Sequence, residues 1–357
     1  MCDAQVERLD EAGPERSSFG LERRAEQRLG VAAAMMSSPE PRPAIRFDRI
    51  DQIKPTPLAP VVHDYIFGDT VTGLIGASGA CKSFVAGHLA CSVGTNTPWF
   101  GQGVTQGAVF YLAGEGRSQI VRRFNGWAQY HGVSLEGAPI FLADRLPPLH
   151  DRLTAAEVIE TIKRIADELF FNSGGIDPSL IVVDTVARAL AGADENSASD
   201  VGRLVDAFDW LKSQWGCAVL PIHHTGHSQE AKTRGRGSSA LYAGLDGEFL
   251  VSSDGDTVQL RSMKEKDWPE PMALCLARNV VEVDLGGKVE TTLVLSLTDQ
   301  PRPDEQWFRE RVSDLRRDGT PIRTIAEILG ATKSKVEHAI RALARDALRY
   351  EEAANGR

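Results

Sequence analysis

The sequence has no surplus of positive charge, no apolar run long enough to cross a bilayer and no pairing pattern among its cysteines. Each absence removes a class of protein. With 49 acidic against 40 basic residues and a formal net charge of −9, the chain is not a general nucleic-acid coat. Any contact with nucleic acid has to come from a local basic loop or one small unit. A membrane-spanning helix needs about 20 consecutive apolar residues, and no stretch approaches that. The five cysteines, Cys2, Cys81, Cys91, Cys217 and Cys275, have neither disulfide-framework nor zinc-ligand spacing, and the first residues do not read as a signal peptide. A reducing, cytoplasmic setting is the expectation. A smaller gap carries more information. A phosphate-binding loop reads G-x-x-x-x-G-K-[ST]. In Gly76-Ala77-Ser78-Gly79-Ala80-Cys81-Lys82-Ser83 the glycine before the lysine is missing, and Cys81 stands in its place.

The flanks of this loop are those a phosphate-binding loop requires. Val71-Thr72-Gly73-Leu74-Ile75 predicts a buried strand, and Phe84 to Ala90 a helix. Strand, Gly-rich turn and helix aim backbone N–H groups and the positive helix end at phosphates. Lys82 is expected on the β- and γ-phosphates of ATP, and the Ser83 hydroxyl on Mg2+. The apolar run Leu180-Ile181-Val182-Val183 ends in Asp184, the pattern of a Walker B strand whose carboxylate serves Mg2+. Thr185, not glutamate, follows it. The candidate for activating water is Glu115 instead, between glycines at the end of the strand-like run Ala108 to Ala113.

A further apolar run ends in His223-His224-Thr225. Adjacent residues of an extended chain face opposite ways, so the two histidines do not hold one metal. One is expected to sense the γ-phosphate while the other packs. Thr233-Arg234-Gly235-Arg236-Gly237-Ser238-Ser239 is a basic, Gly-rich loop whose arginines suit phosphate, either of nucleic acid or of ATP on a neighbouring subunit. Lys264 and Lys266, at the end of another strand-like run, either reach a neighbour's γ-phosphate or form a solvated charge cluster.

In this order the motifs resemble the RepA-type branch of the RecA/DnaB-like ATPases, often labelled AAA-family ATPases, over roughly residues 56 to 298. The resemblance implies a RecA-like α/β core: a mostly parallel sheet with antiparallel strands at its C-terminal end. It implies ATP and Mg2+ as ligands, a homo-oligomeric ring, most often a hexamer, and single-stranded DNA as partner. Residue by residue, it implies nucleotide binding by Gly76, Ala77, Ser78, Gly79, Ala80, Cys81, Lys82, Ser83 and Phe84, and Mg2+ binding by Ser83 and Asp184. It further implies Glu115 as catalytic glutamate, His224 as polar sensor and Arg236 as a finger acting in trans, with Lys264 and Lys266 in the equivalent late-strand region. The departure is Cys81, whose β-carbon is expected to weaken nucleotide binding and whose thiol, beside Lys82 and a helix N-terminus, is expected to be oxidation-sensitive.

Three regions are expected. Residues 1–45, rich in Glu, Arg, Ala, Ser and Pro, read as a disordered or weakly helical arm that alternatively packs on a neighbouring subunit; 46–300 form the ATPase domain. Residues 301–357 form a small (winged) helix-turn-helix, with helices over Gln306–Arg317, Pro321–Gly330 and from Lys333 to about Leu348. Lys333, Lys335, Arg341 and Arg345 make its last helix basic, which suits DNA, while docking of a protein partner is the alternative. The function expected is an ATP-hydrolysing DNA motor, a replicative helicase or helicase-like protein of a plasmid, phage or integrated element. The alternatives are a nucleotide-gated DNA-binding regulator and a degenerate P-loop scaffold.

Overall fold

A computed structural model describes residues 47–355, apart from 115, 174, 227–234, 236, 285, 299–302 and 330. The arm expected over 1–45 therefore lies outside the described residues. The chain divides into two compact units, Met1–Pro57 and Leu58–Arg357. In the first, the described residues form one 3-10 turn, Ile50–Gln52, next to an exposed Arg49–Asp51 ion pair of 2.7 Å.

In the second unit, β1 (Pro60–Val62) and β2 (Ile66–Phe67) make a separate antiparallel pair. The alternating core follows: β3 (Thr72–Gly76), α1 (Lys82–Thr95), β4 (Ala108–Ala113), α2 (Arg117–His131), β5 (Ile140–Leu142), α3 (Arg152–Ser173), β6 (Pro178–Asp184), the one-turn α4 (Val186–Ala189), α5 (Ala198–Trp215) and β7 (Ala218–His224). After α6 (Ser239–Gly244) come β8 (Gly247–Asp254), β9 (Thr257–Glu265), β10 (Leu274–Asp284) and β11 (Val289–Leu297). All but the first two strands join one nine-stranded sheet in the order β11-β10-β9-β8-β3-β7-β6-β4-β5. From β8 to β5 every pairing is parallel; from β8 outwards to β11 every pairing is antiparallel. This mostly parallel sheet with an antiparallel end is an α/β P-loop NTPase core.

Strand chemistry explains the layering. β3, β4 and β7 are buried almost throughout, as parallel strands covered on both faces must be, and they read as continuous apolar runs. Alternate residues sort to two cores. Leu74, Val109, Tyr111, Leu180, Val182, Leu220 and Ile222 pack with α1 and α2 on one face; Phe110, Leu112, Ile181, Val183 and Val219 pack with α3 and α5 on the other. β9 alternates, with Val258, Leu260 and Ser262 turned inward, as suits a half-covered antiparallel strand. Helix ends carry local signals. Ser197 caps α5 by accepting the Asp200 N–H, and α1 stops at Asn96, left-handed at φ 56°.

The apolar stretches Leu274–Leu276 and Val280–Val283 belong to the single strand β10, because Ala277 to Asn279 continue the ladder to β11 between them. Gly286-Gly287 lies in the connection to β11. Three C-terminal helices, α7 (Pro303–Arg317), α8 (Ile322–Ile328) and α9 (Lys333–Asn355), bury a core of their own: Phe308, Val312, Ile325, Ala326, Val336 and Ala339. No strand joins this core among the described residues, so the structure shows a helical unit without a wing.

Candidate nucleotide site

The phosphate loop joins β3 to α1 at the carboxyl ends of the parallel strands, where ligands of open α/β sheets bind. A β-carbon at Gly76 would collide with the Val251 carbonyl oxygen, so only glycine fits there. Cys81 is the N-cap of α1 and sits left-handed at φ 71°, ψ 20°. That conformation is what the motif's glycine provides without cost, and the cysteine adopts it nonetheless. Its side chain is buried, 8% exposed, in the apolar core of that face, with Sγ 3.8 Å from the Gly79 carbonyl oxygen. Oxidation and alkylation need an accessible thiolate, and this burial works against the sensitivity expected from sequence.

Lys82 is buried and spans the loop. Its Nζ donates to the carbonyl oxygens of Gly76 and Ala77, both at 2.8 Å, and lies 3.3 Å from His224 Nδ1. A protonated ammonium can only donate, so Nδ1 acts as acceptor and the imidazole proton resides on Nε2. The register explains the meeting. Gly76 pairs with His224 across the parallel β3–β7 ladder, and the Thr225 N–H closes the row on the Gly76 carbonyl at 3.1 Å. His224 thus shares the loop's face of the sheet. His223 points to the other face, where Gly235 packs against its ring.

Asp184 ends β6, next to β7, and is buried at 2% exposure. Tyr111 Oη donates to its Oδ2 at 2.8 Å, a contact sequence reasoning missed because the two residues are 73 positions apart. The Asp184–Thr185 peptide is cis. Glu115 and Arg236 lie outside the described residues. Of their neighbours, Gly114 donates its N–H to the Asp184 carbonyl at 2.6 Å, Gly235 bridges Thr225 and Ser238 N–H bonds the Glu195 carbonyl at 2.9 Å. The loop from β7 to α6 therefore leaves and returns beside the end of β7.

The remaining predicted residues are elsewhere. Lys264 pairs in register with Glu248, and Glu248's neighbour Gly247 pairs with Thr72 at the start of β3. Lys264 and Lys266 hence lie toward the amino ends of the parallel strands, away from this chain's own phosphate loop. Lys264 donates to the Tyr242 carbonyl at 2.6 Å and lies over the Tyr242 ring, while Lys266 pairs with Asp246 at 3.0 Å. Burial, and then the adjacent Lys266, hold the Lys264 ammonium below the usual lysine range. Burial pushes the facing Glu248 carboxyl up to about 7, with Lys264 opposing. In the helical unit, Lys335 lies over the Phe308 ring, Lys333 pairs with Glu337 at 3.5 Å, and Arg341 Nε donates to the Glu337 carbonyl at 3.4 Å. Arg345 is on the same helix, with its side chain outside the description.

A family model described as an AAA domain matches residues 37–230, which span β3 to β7. The chain belongs to the AAA domain family. Membership points to an ATPase and implies a nucleotide, typically with Mg2+. No curated protein matches the chain. The residues of this AAA domain fit that ligand set. A buried lysine lines the loop, a helix of fourteen residues starts there, and a buried carboxylate with a hydroxyl at Ser83 supplies hard oxygen donors of the kind Mg2+ takes. No group of three or more His, Cys, Asp or Glu suited to a metal occurs among the described residues. No described helix is long and apolar enough to cross a membrane.

Proposed function

We propose that this AAA domain powers a ring-forming, ATP-hydrolysing motor on single-stranded DNA, a replicative helicase or helicase-like replication protein of a plasmid, phage or integrated element. The observation that carries the reading is the convergence of Lys82, Asp184 and His224 on one face of the sheet at the carboxyl end of β3. Lys82 leaves its two loop carbonyls to meet the β- and γ-phosphates, and the N–H groups at the start of α1 complete the cradle. Ser83 and Asp184 are the residues that would hold Mg2+, which when bound neutralises phosphate charge. His224, already beside Lys82, reports whether the γ-phosphate is present. Glu115 deprotonates the attacking water, and Arg236 meets the phosphate of the adjoining subunit.

The lysine pair sets the geometry of the assembly part of the proposal. Lys264 is level with Gly73, three residues below Gly76, which at about 3.3 Å per residue is roughly 10 Å down the sheet from its own loop. A phosphate met by Lys264 or Lys266 then belongs to another copy. The separate core of the three C-terminal helices supports a second reading, a nucleotide-gated regulator that docks duplex DNA through α9.

The test is ATP hydrolysis with and without single-stranded DNA, together with unwinding of a forked duplex and sedimentation with nucleotide. The motor reading expects DNA-stimulated hydrolysis lost in Glu115→Gln, strand separation, and an ATP-dependent larger species. Duplex binding lost on removal of residues 303–357, without unwinding, would favour the regulator. Absence of nucleotide binding would leave only a scaffold.

A further inference from the structure

Tyr111 lies in the middle of β4, wholly buried among apolar neighbours, yet it brings a hydroxyl to the Walker B carboxylate. The sheet makes this possible. Ala113 pairs with Asp184 and Tyr111 with Val182, so Tyr111 is the diagonal neighbour of Asp184, one pleat lower on the same face. Diagonal neighbours are too far apart for short side chains but within reach of a tyrosine. A phenol hydroxyl donates and a carboxylate oxygen accepts, so the 2.8 Å contact is a hydrogen bond in a buried setting, of the charge-assisted kind wherever Asp184 serves as the Mg2+ carboxylate. Phenylalanine would fill the same core space, against Phe124 for instance, whose ring meets that of Tyr111 edge-on at 5.7 Å. Packing therefore does not call for the hydroxyl.

We infer that Tyr111 is a positioning residue for the nucleotide site: its hydroxyl fixes the plane of the Asp184 carboxylate that faces the Mg2+-bound nucleotide. The terminal torsion of an aspartate is broad and roughly two-fold, so a donor held at a fixed place in the sheet narrows the orientations its carboxylate samples. In this role Tyr111 acts through Asp184. The inference rests on the reading of Asp184 as the Mg2+ carboxylate.

The experiment measures ATP affinity with Mg2+ and with EDTA in the full chain, for wild type, Tyr111→Phe, Asp184→Asn and the double variant, with thermal unfolding in EDTA alongside. A charge-assisted hydrogen bond is worth about tenfold in an equilibrium constant. Tyr111→Phe is expected to lower the enhancement of ATP affinity by Mg2+ about tenfold, while binding in EDTA stays at the wild-type value; the melting temperature in EDTA reads the separate cost of leaving a buried carboxylate oxygen unpaired. In the Asp184→Asn background it is expected to change nothing further. Undiminished Mg2+ enhancement in Tyr111→Phe, or a loss of the same size in the Asp184→Asn background, overturns the inference. Hydrolysis is assayed separately. Wild type that binds Mg2+–ATP but does not turn it over refutes the ATPase reading and leaves Tyr111 in place, whereas turnover with an unaltered Tyr111→Phe enhancement refutes only the positioning role.

Discussion

Replacing Cys81 probes the backbone that the motif's missing glycine was meant to serve. At φ 71°, ψ 20° an L-residue is left-handed, which costs about 1–2 kcal/mol relative to glycine. Cys81→Gly recovers that strain. It also gives the unfolded chain more freedom, a loss of about 0.5–1 kcal/mol, and it removes a buried side chain of roughly one methylene and one sulfur, about 1 kcal/mol more. The sum is within about 1 kcal/mol of zero. Cys81→Val keeps the strain, aggravates it with a branched β-carbon, and overfills a packed site, for a loss of about 2–4 kcal/mol. Urea unfolding of the three proteins without nucleotide, at equal concentration, gives the comparison. ATP titration should find Cys81→Gly within about threefold of wild type, less than 1 kcal/mol, because the thiol lies in the core and not on the cradle. Equal stability of Cys81→Val and wild type, or a loss above about 2 kcal/mol in Cys81→Gly, would refute the left-handed argument. A tenfold gain in affinity on Cys81→Gly would refute the burial argument.

Lys82→Ala removes two loop hydrogen bonds and the phosphate cation, and nucleotide titration should show ATP affinity lower by about tenfold to a hundredfold. Gly76→Ala forces its new carbon into the Val251 carbonyl, so calorimetry should find a lower melting temperature and titration a loop that no longer binds ATP. Glu248 gives a pH signature. Its carboxyl is raised from 4.5 to about 7 by burial, so the unfolded chain releases this proton first; the contribution is fully present below about pH 4.5 and is lost as pH rises to about 7. Glu248→Gln should flatten that fall in urea midpoints measured across the same window, and an unchanged slope would assign the fall to other groups.

Local signals made much of the core legible. Gly-rich loop, strand and helix were readable around Lys82 because each is specified by residues within a few positions of it, and the same holds for the apolar run that ends at Asp184. The three C-terminal helices were readable from their turn residues and apolar spacing, although α9 runs on to Asn355, past the expected end near Leu348. The short edge strand β5 and the β1–β2 pair left no distinctive pattern, since two or three residues cannot display a period. β10 is one ladder although Arg278 and Asn279 interrupt its apolar pattern, because backbone hydrogen bonding continues where side-chain polarity changes.

The sequence by itself determined the phosphate-loop pattern, because that pattern is written in contiguous residues. Only the tertiary structure decided which distant groups meet. That β4 lies beside β6 brings the Tyr111 hydroxyl to Asp184, and the β3–β7 register sets His224 against Lys82. The antiparallel return of β9 carries Lys264 and Lys266 to the far end of the sheet from their own loop. Strand order and register arise from non-local pairing and two-sided burial, and no short window of sequence contains them.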